Sequence, residues 1–311
     1  MNDVSPGYIA ALSRGILKER VATAHAMLAE CTMCPRQCRV NRLAGETGVC
    51  QTGEQAVVAA FDPHFGEESP LVGRHGSGTI FFGYCSLLCK FCQNFDISHH
   101  GCGRPVSAQE LAGMMRSLES SGCHNINFVT PSHVVPQIIE AVAIAAEWGL
   151  HVPLVYNSSG YDRVETLRLL EGIVDIYLPD FKFWDSEVAK AACHAPDYPE
   201  AARAAIKEMH RQVGDLVIGE DGIARRGLLL RHLVLPDGLA GTREVMRFVF
   251  QEISPNTYVN IMDQYRPMGL AASAPGFGRR PTRQEIETAI GAARAEGIHR
   301  LDLRRPAYVL I

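Results

Sequence analysis

No apolar run in this sequence approaches the ~20 residues that a membrane-spanning helix needs. The opening stretch MNDVSPGYIAALSRG contains an aspartate and a proline and lacks the apolar core of a secretory leader. Positive charge is not in surplus either. Thirty Lys and Arg face 34 Asp and Glu, giving a formal net charge of −4 with both signs mixed. That balance argues against a dedicated nucleic-acid binder, which would present a basic face, although an RNA held in a local groove stays open. No internal repeat and no low-complexity tract is present. These absences lead us to expect a soluble, cytoplasmic protein. Apolar residues are abundant, at 47% of 311, so the chain can bury a sizeable core. Its length suits one large α/β domain with a smaller appendage.

Seven of the ten cysteines fall in two tight clusters. In a large cytosolic chain such clusters point to metal ligation rather than disulfides. Cys102, Cys123 and Cys193 stand apart and are expected to be buried, inert thiols.

The first 70 residues read as a small N-terminal module: a helix over 7–30, the cysteine-rich stretch CTMCPRQCRVNRLAGETGVC, and a short strand near 56–61. From about residue 75 the pattern becomes regular. Strands are expected at 78–84, 126–130, 152–158, 174–182, 228–235 and 258–265. Helices are expected at 107–122, 134–149, 163–172, 201–214, 243–253 and 283–297. Ser107 and Glu110 form a capping box at the first of these, and the Pro of the second lies in its first turn, where it is tolerated. The stretch 215–227 reads as a hairpin inserted before the fifth strand. Strict alternation of apolar, β-branched strands with helices implies a parallel sheet covered on both faces. A doubly wound sheet and a barrel both fit. Polar groups gather at the strand ends: Thr130, Asn157, Asp180 with Lys182, Arg231 with His232, and Asp263 with Gln264. In either architecture that edge carries the chemistry. The run Asp263–Gln264–Tyr265–Arg266 could read a substrate, Tyr265 could relay a radical or simply pack, and histidines 99, 100, 124 and 133 near the first strand ends read as ordinary loop groups.

The stretch GYCSLLCKFCQN follows the first barrel strand with the spacing Cys85-x3-Cys89-x2-Cys92. Structural zinc needs four closed ligands. A cubane cluster held by three thiolates leaves one iron open to a small molecule. Zinc and a ferredoxin-like carrier are the alternatives.

These residues resemble the radical S-adenosylmethionine superfamily. Its hallmark is C-x3-C-x2-C after the first strand of a partial (β/α)6 TIM-like barrel. The resemblance covers roughly residues 75–300 and implies a domain over 71–311 preceded by the 1–70 metal-binding module. It implies a [4Fe–4S] cluster on Cys85, Cys89 and Cys92 that reductively cleaves S-adenosylmethionine to a 5′-deoxyadenosyl radical, which abstracts hydrogen. The chain would then be an oxidoreductase supplied by a reduced flavodoxin- or ferredoxin-type electron donor. Phe91 falls where the family packs an aromatic on the adenine. DFK at 180–182 resembles the Asp-x-Lys of pyruvate formate-lyase activating enzymes, which gives Lys182 the carboxylate of S-adenosylmethionine. VYNSSGY points to Asn157. NFVTPSH stands where those activases have Gly-Gly-Glu, so Thr130 would serve instead. The runs NINFVTPSHVVP, VDIYLPDFKF, LLLRHLVLP and VNIMDQYRP resemble a branch of activating-enzyme homologues with an N-terminal cysteine segment. A glycyl radical enzyme is therefore one expected protein partner, with a small molecule or RNA as the alternative substrate and a non-catalytic iron–sulfur carrier as a further reading. Asp180 and His232 complete the expected cofactor pocket.

The other cluster, Cys31-x2-Cys34-x3-Cys38-x11-Cys50, offers four thiols. That closed set suits a second iron–sulfur cluster or structural zinc.

Overall fold

The computed structural model describes residues 5–302. Residues 1–4, and residues 303–311 of the expected 71–311 domain, lie outside the described residues. The strands are β1 (Ala56–His64), β2 (Ser77–Phe82), β3 (Arg104–Val106), β4 (Ile126–Val129), β5 (Leu154–Ser158), β6 (Ile176–Pro179), β7 (Val217–Ile218), β8 (Ala224–Leu233) and β9 (Tyr258–Met262). Six of them, β2, β4, β5, β6, β8 and β9, lie side by side in chain order and all run parallel. A doubly wound sheet would reverse its strand order at a switch point. This one does not, so the architecture is the partial (β/α)6 barrel. All six expected strands are present, as are six helices between and after them: Ala108–Ser120, Val135–Glu147, Val164–Leu169, Tyr198–Val213, Thr242–Phe248 and Arg283–Ala295. The Ser107–Glu110 capping box forms in both directions, and Pro136 sits in the first turn of its helix.

Alternation along each strand sorts the side chains into two cores. Ile80, Phe128, Tyr156, Tyr177, Leu228 and Leu230 face outward and pack beneath the helices. Val155, Ile176, Leu178 and Leu229 face the lumen. The segment between β1 and β2 closes the end of the barrel where the strands begin, and its Leu71 joins the lumen core.

The N-terminal segment is layered onto this barrel. The expected helix over 7–30 is broken at Gly15, whose φ of 74° ends one helix at Ser13 and starts another at Ile16. Tyr8 and Ala24 are buried in the outer core. The Tyr8 hydroxyl donates to the Val152 carbonyl at 3.0 Å, and Asp175 accepts from the N–H groups of Gly7 at 2.8 Å and Leu154 at 2.9 Å. The strand expected near 56–61 is β1. It pairs antiparallel with β2, and β3 pairs antiparallel with it, so the sheet extends beyond its first parallel strand. The expected hairpin is β7 paired with β8, turning at Gly222. Its returning arm runs straight into the fifth barrel strand. No described helix is long and apolar enough to cross a membrane.

Candidate active site

Cys85, Cys89 and Cys92 leave the C-terminal end of β2 on an irregular loop that ends at the helix Phe95–His100. Two residues of this loop, Tyr84 (φ 66°) and Leu88 (φ 56°), hold left-handed backbone without being glycine, and each immediately precedes a cysteine. Such strain costs about 1–2 kcal/mol per residue and persists where the surroundings impose it. Cys85 and Cys89 are buried. Burial pushes the Cys85 thiol up to about 12, and Cys89 adds to the rise. Burial and then Cys89 raise Cys92. A hydrogen bond with the Cys193 thiol, followed by burial, raises Cys89. Three thiols this dry, with Cys89 raising both its neighbours, are poor free thiolates. They become good ligands once a metal core supplies compensating positive charge. The donor set and burial fit a [4Fe–4S] cluster held by three cysteines.

Around this loop the strand ends bring charge together. Asp180 follows β6 and is bridged to Arg231 of β8. The Arg231 guanidinium donates from Nε to Asp180 Oδ1 at 2.6 Å and from Nη2 to Asn157 Oδ1 at 2.6 Å, with Glu67 Oε2 at 3.5 Å from Nη1. Lys182 Nζ donates to Asp180 Oδ2. Burial pushes the Asp180 carboxyl up, but Arg231 and Lys182 together hold it below the usual carboxylate range. Burial works against the Lys182 ammonium, and Asp180 followed by Cys89 keeps it above its ordinary value. Lys182 thus joins the charge cluster to the cysteine loop, and a cation there is a charge-assisted partner for an anionic group.

Thr130 directly follows β4 with φ 62°, an outlier for a β-branched residue, and its N–H donates to the Asn157 carbonyl at 2.9 Å. Asn157, Asp180, Lys182 and Thr130 therefore share one edge of the barrel. Phe91 is buried against Phe277 (centroids 5.2 Å, stacked), Tyr265 (5.5 Å) and Phe183 (5.9 Å). Tyr265 packs there too, with its hydroxyl donating to the Phe277 carbonyl at 2.7 Å. His232 corrects the expectation. It points out of the lumen and is fully buried, with Nδ1 donating to the Phe181 carbonyl at 2.7 Å and Nε2 accepting from Thr242 Oγ1 at 2.9 Å. Of the three isolated cysteines, Cys123 is buried as expected, Cys102 is exposed, and Cys193 is buried but partnered with Cys89.

The sequence reading passed over four lumen residues. Glu67 and Glu68 rise from the segment that closes the barrel. Glu68 Oε1 accepts from Asn260 Nδ2 at 2.8 Å. Glu68 Oε2 and both polar atoms of buried Asn127 have no hydrogen-bond partner among the described residues. Asn127 lies in register between Thr79 and the lumen-facing Val155. Period-two alternation would have placed Asn127 inside. No local signal marks Glu67 and Glu68.

Cys31, Cys34, Cys38 and Cys50 line a single cavity with Arg36, Arg42, Gly48 and His133. Burial pushes the Cys34 thiol up to about 12, the Arg36 backbone N–H opposing and the other three cysteines adding. Among the described residues no three His, Cys, Asp or Glu side chains are gathered tightly enough to hold one metal ion.

Residues 79–222, which include the three-cysteine loop, match the Radical SAM superfamily. An uncharacterized protein of Methanocaldococcus jannaschii, MJ0674, is 32% identical over 286 residues, covering 89% of this chain and 78% of its own length. Among solved structures, a radical SAM methyltransferase from Sphaerobacter thermophilus is similar at 20% identity and a TM-score of 0.49, over 71% of this chain and 64% of that one. Methylornithine synthase (PylB) is similar at 15% identity and 0.44, over 68% and 60%. The chain thus spans less than two thirds of these solved proteins. The family match, which takes in the cysteine loop near its start, shows that residues 79–222 form a domain of the radical SAM superfamily, whose cofactors are a [4Fe–4S] cluster and S-adenosylmethionine.

Proposed function

We propose that this protein abstracts a hydrogen atom from a small polar molecule held in the barrel lumen. The observation that carries the reading is Lys182: it belongs to the Asp180–Arg231–Asn157 cluster and is electrostatically coupled to Cys89 and Cys92. Cys85, Cys89 and Cys92 would hold the cluster. When bound, the cluster would supply one electron, drawn from an external donor, for cleavage of S-adenosylmethionine into methionine and the 5′-deoxyadenosyl radical that takes the hydrogen. Lys182 would receive the carboxylate of the methionine end, while Asp180 keeps that lysine charged in a buried setting. Thr130 and Asn157 offer a hydroxyl and a carboxamide beside it. Phe91 and its aromatic neighbours give the site an apolar wall that keeps water out.

The unpaired carboxamide of Asn127 and the unpaired Glu68 oxygen support a polar hydrogen donor in the lumen, because such groups, when buried, cost free energy until a ligand pairs them. The glycyl-radical activase reading rests on CKFCQN and DFK, and it competes with the lumen reading at the level of substrate. The test is anaerobic reconstitution with iron and sulfide, reduction, and addition of S-adenosylmethionine. We expect 5′-deoxyadenosine, and its loss in Cys89→Ala. A fully loaded cluster that forms none, and whose EPR signal ignores S-adenosylmethionine, would sink the reading. A glycyl radical on an added partner protein would replace the small-molecule substrate with a protein one.

A further inference from the structure

The radical chemistry leaves four cysteines unused, and their surroundings are built for a ligand. Cys31, Cys34, Cys38 and Cys50 line one small pocket, together with Arg36, Arg42, Gly48 and His133. The backbone is forced into shape around them. Gln37 (φ 42°), Arg39 (φ 56°) and Gln51 (φ 52°) hold left-handed backbone without being glycine, and each adjoins a cysteine. At Gly48 an added Cβ would lie 2.7 Å from both Cβ and Sγ of Cys38, so glycine alone lets the Cys50 arm approach so closely. A surface loop that stores strain at three positions needs an offset, and metal–thiolate bonds supply one.

Electrostatics point the same way. Arg42 is buried and its guanidinium donates to the carbonyls of Gly53 and His133, both at 2.8 Å, with Nη1 3.9 Å from Cys31 Sγ. Its Nη2 has no partner, and no carboxylate pairs with it, among the described residues. The Val49 N–H donates to Cys38 Sγ at 3.4 Å. A buried cation and an N–H···S bond suit thiolates that carry net negative charge. Zinc would need the four sulfurs to converge about 2.3 Å from one point. The four sulfurs show no such convergence among the described residues, whereas a cubane takes one thiolate at each of its four spread corners.

The site also touches the first one. Arg36, between Cys34 and Cys38, donates to the carbonyls of Ser86 (3.1 Å), Leu87 (3.3 Å), Cys193 (2.8 Å) and His194 (2.6 Å). Ser86 and Leu87 lie between Cys85 and Cys89, so one arginine side chain spans the two cysteine loops.

We propose that Cys31, Cys34, Cys38 and Cys50 hold a second, fully ligated [4Fe–4S] cluster, close enough to the first to pass it one electron. The second cluster takes an electron from a reduced flavodoxin- or ferredoxin-class donor, and is reoxidised as the first is reduced. No bond forms or breaks at it, and with four thiolates it has no open iron for S-adenosylmethionine. Its ligation is independent of the radical reading; the electron transfer rests on that reading.

The test uses the full chain carrying Cys85→Ala, Cys89→Ala and Cys92→Ala, reconstituted anaerobically. We expect about four iron and four sulfide per chain, a reduced-state EPR signal that S-adenosylmethionine does not alter, and loss of both when Cys34→Ala and Cys50→Ala are added. A folded variant that takes zinc or no metal overturns the proposal. Should the triple variant not fold, the wild type must lose about half its iron in Cys34→Ala, and unchanged iron overturns the proposal equally. With both clusters reduced, the wild-type EPR spectrum is expected to differ from the sum of the single-cluster spectra through magnetic coupling. A plain sum overturns the electron-passing half.

Discussion

Neighbouring residues on one strand can have opposite fates. LLLRHLVL places Arg231 and His232 side by side, and their chemistry alone favours the histidine as a pocket group. Alternation decides otherwise: Arg231 shares a face with lumen-lining Leu229, and His232 shares one with Leu228 and Leu230 beneath the helices. Burial lowers the His232 pKa to about 4 from its ordinary 6.5, so the native ring stays neutral over a range in which the unfolded chain takes up a proton. Its contribution to stability is therefore full above pH 6.5. As pH falls it declines by about 1.4 kcal/mol per unit, levelling near pH 4. His232→Gln can keep both hydrogen bonds without titrating. Urea unfolding between pH 7 and 4.5 should show a shallower loss of stability in the variant than in the wild type, and equal slopes would refute the assignment. Asp175, which burial raises to about 6, runs in the opposite direction but is common to both proteins.

At the scale of elements, the six strands and six helices were legible because each carries its own signal: β-branched apolar runs, the Ser107–Glu110 box, and Pro136 in a first turn. The site was legible only where its chemistry is local, as in the Cys85, Cys89 and Cys92 loop and the Asp180, Lys182 pair. Glu67 and Glu68 were not, because a closing segment between β1 and β2 has no period and meets Arg231 and Asn260 only after the barrel forms. The loop after β5 shows how tightly such connections are fitted. Gly160 has φ 75°, and an added Cβ would lie 2.2 Å from the Asp180 carbonyl oxygen. Gly160→Ala must therefore displace the backbone that carries Asp180 and Lys182. We expect it to cost about 2–4 kcal/mol in chemical denaturation and to reduce 5′-deoxyadenosine formation at least tenfold. A variant as stable and active as wild type would show that this approach is not rigid.

At the scale of the whole molecule, the N-terminal segment contributes to the barrel in three ways: Tyr8 and Ala24 in its outer core, β1 paired antiparallel to its first parallel strand, and Arg36 across its cysteine loop. A chain joined in this way should unfold as one unit. We expect a single transition in which far-UV circular dichroism and tyrosine fluorescence coincide during anaerobic urea denaturation. Two separated transitions would instead indicate an independently folding module over residues 1–70. The sequence by itself determined the class of chemistry and the parallel α/β frame, since cysteine spacing and hydrophobic period act over a few residues. Tertiary structure alone decided which polar groups meet: Arg231 rather than His232 in the lumen, Cys193 against Cys89, and Arg36 between two cysteine sites. Those pairings join residues 51 to 158 positions apart or face opposite sides of one strand, and no local pattern encodes a contact that only the closing of the sheet creates.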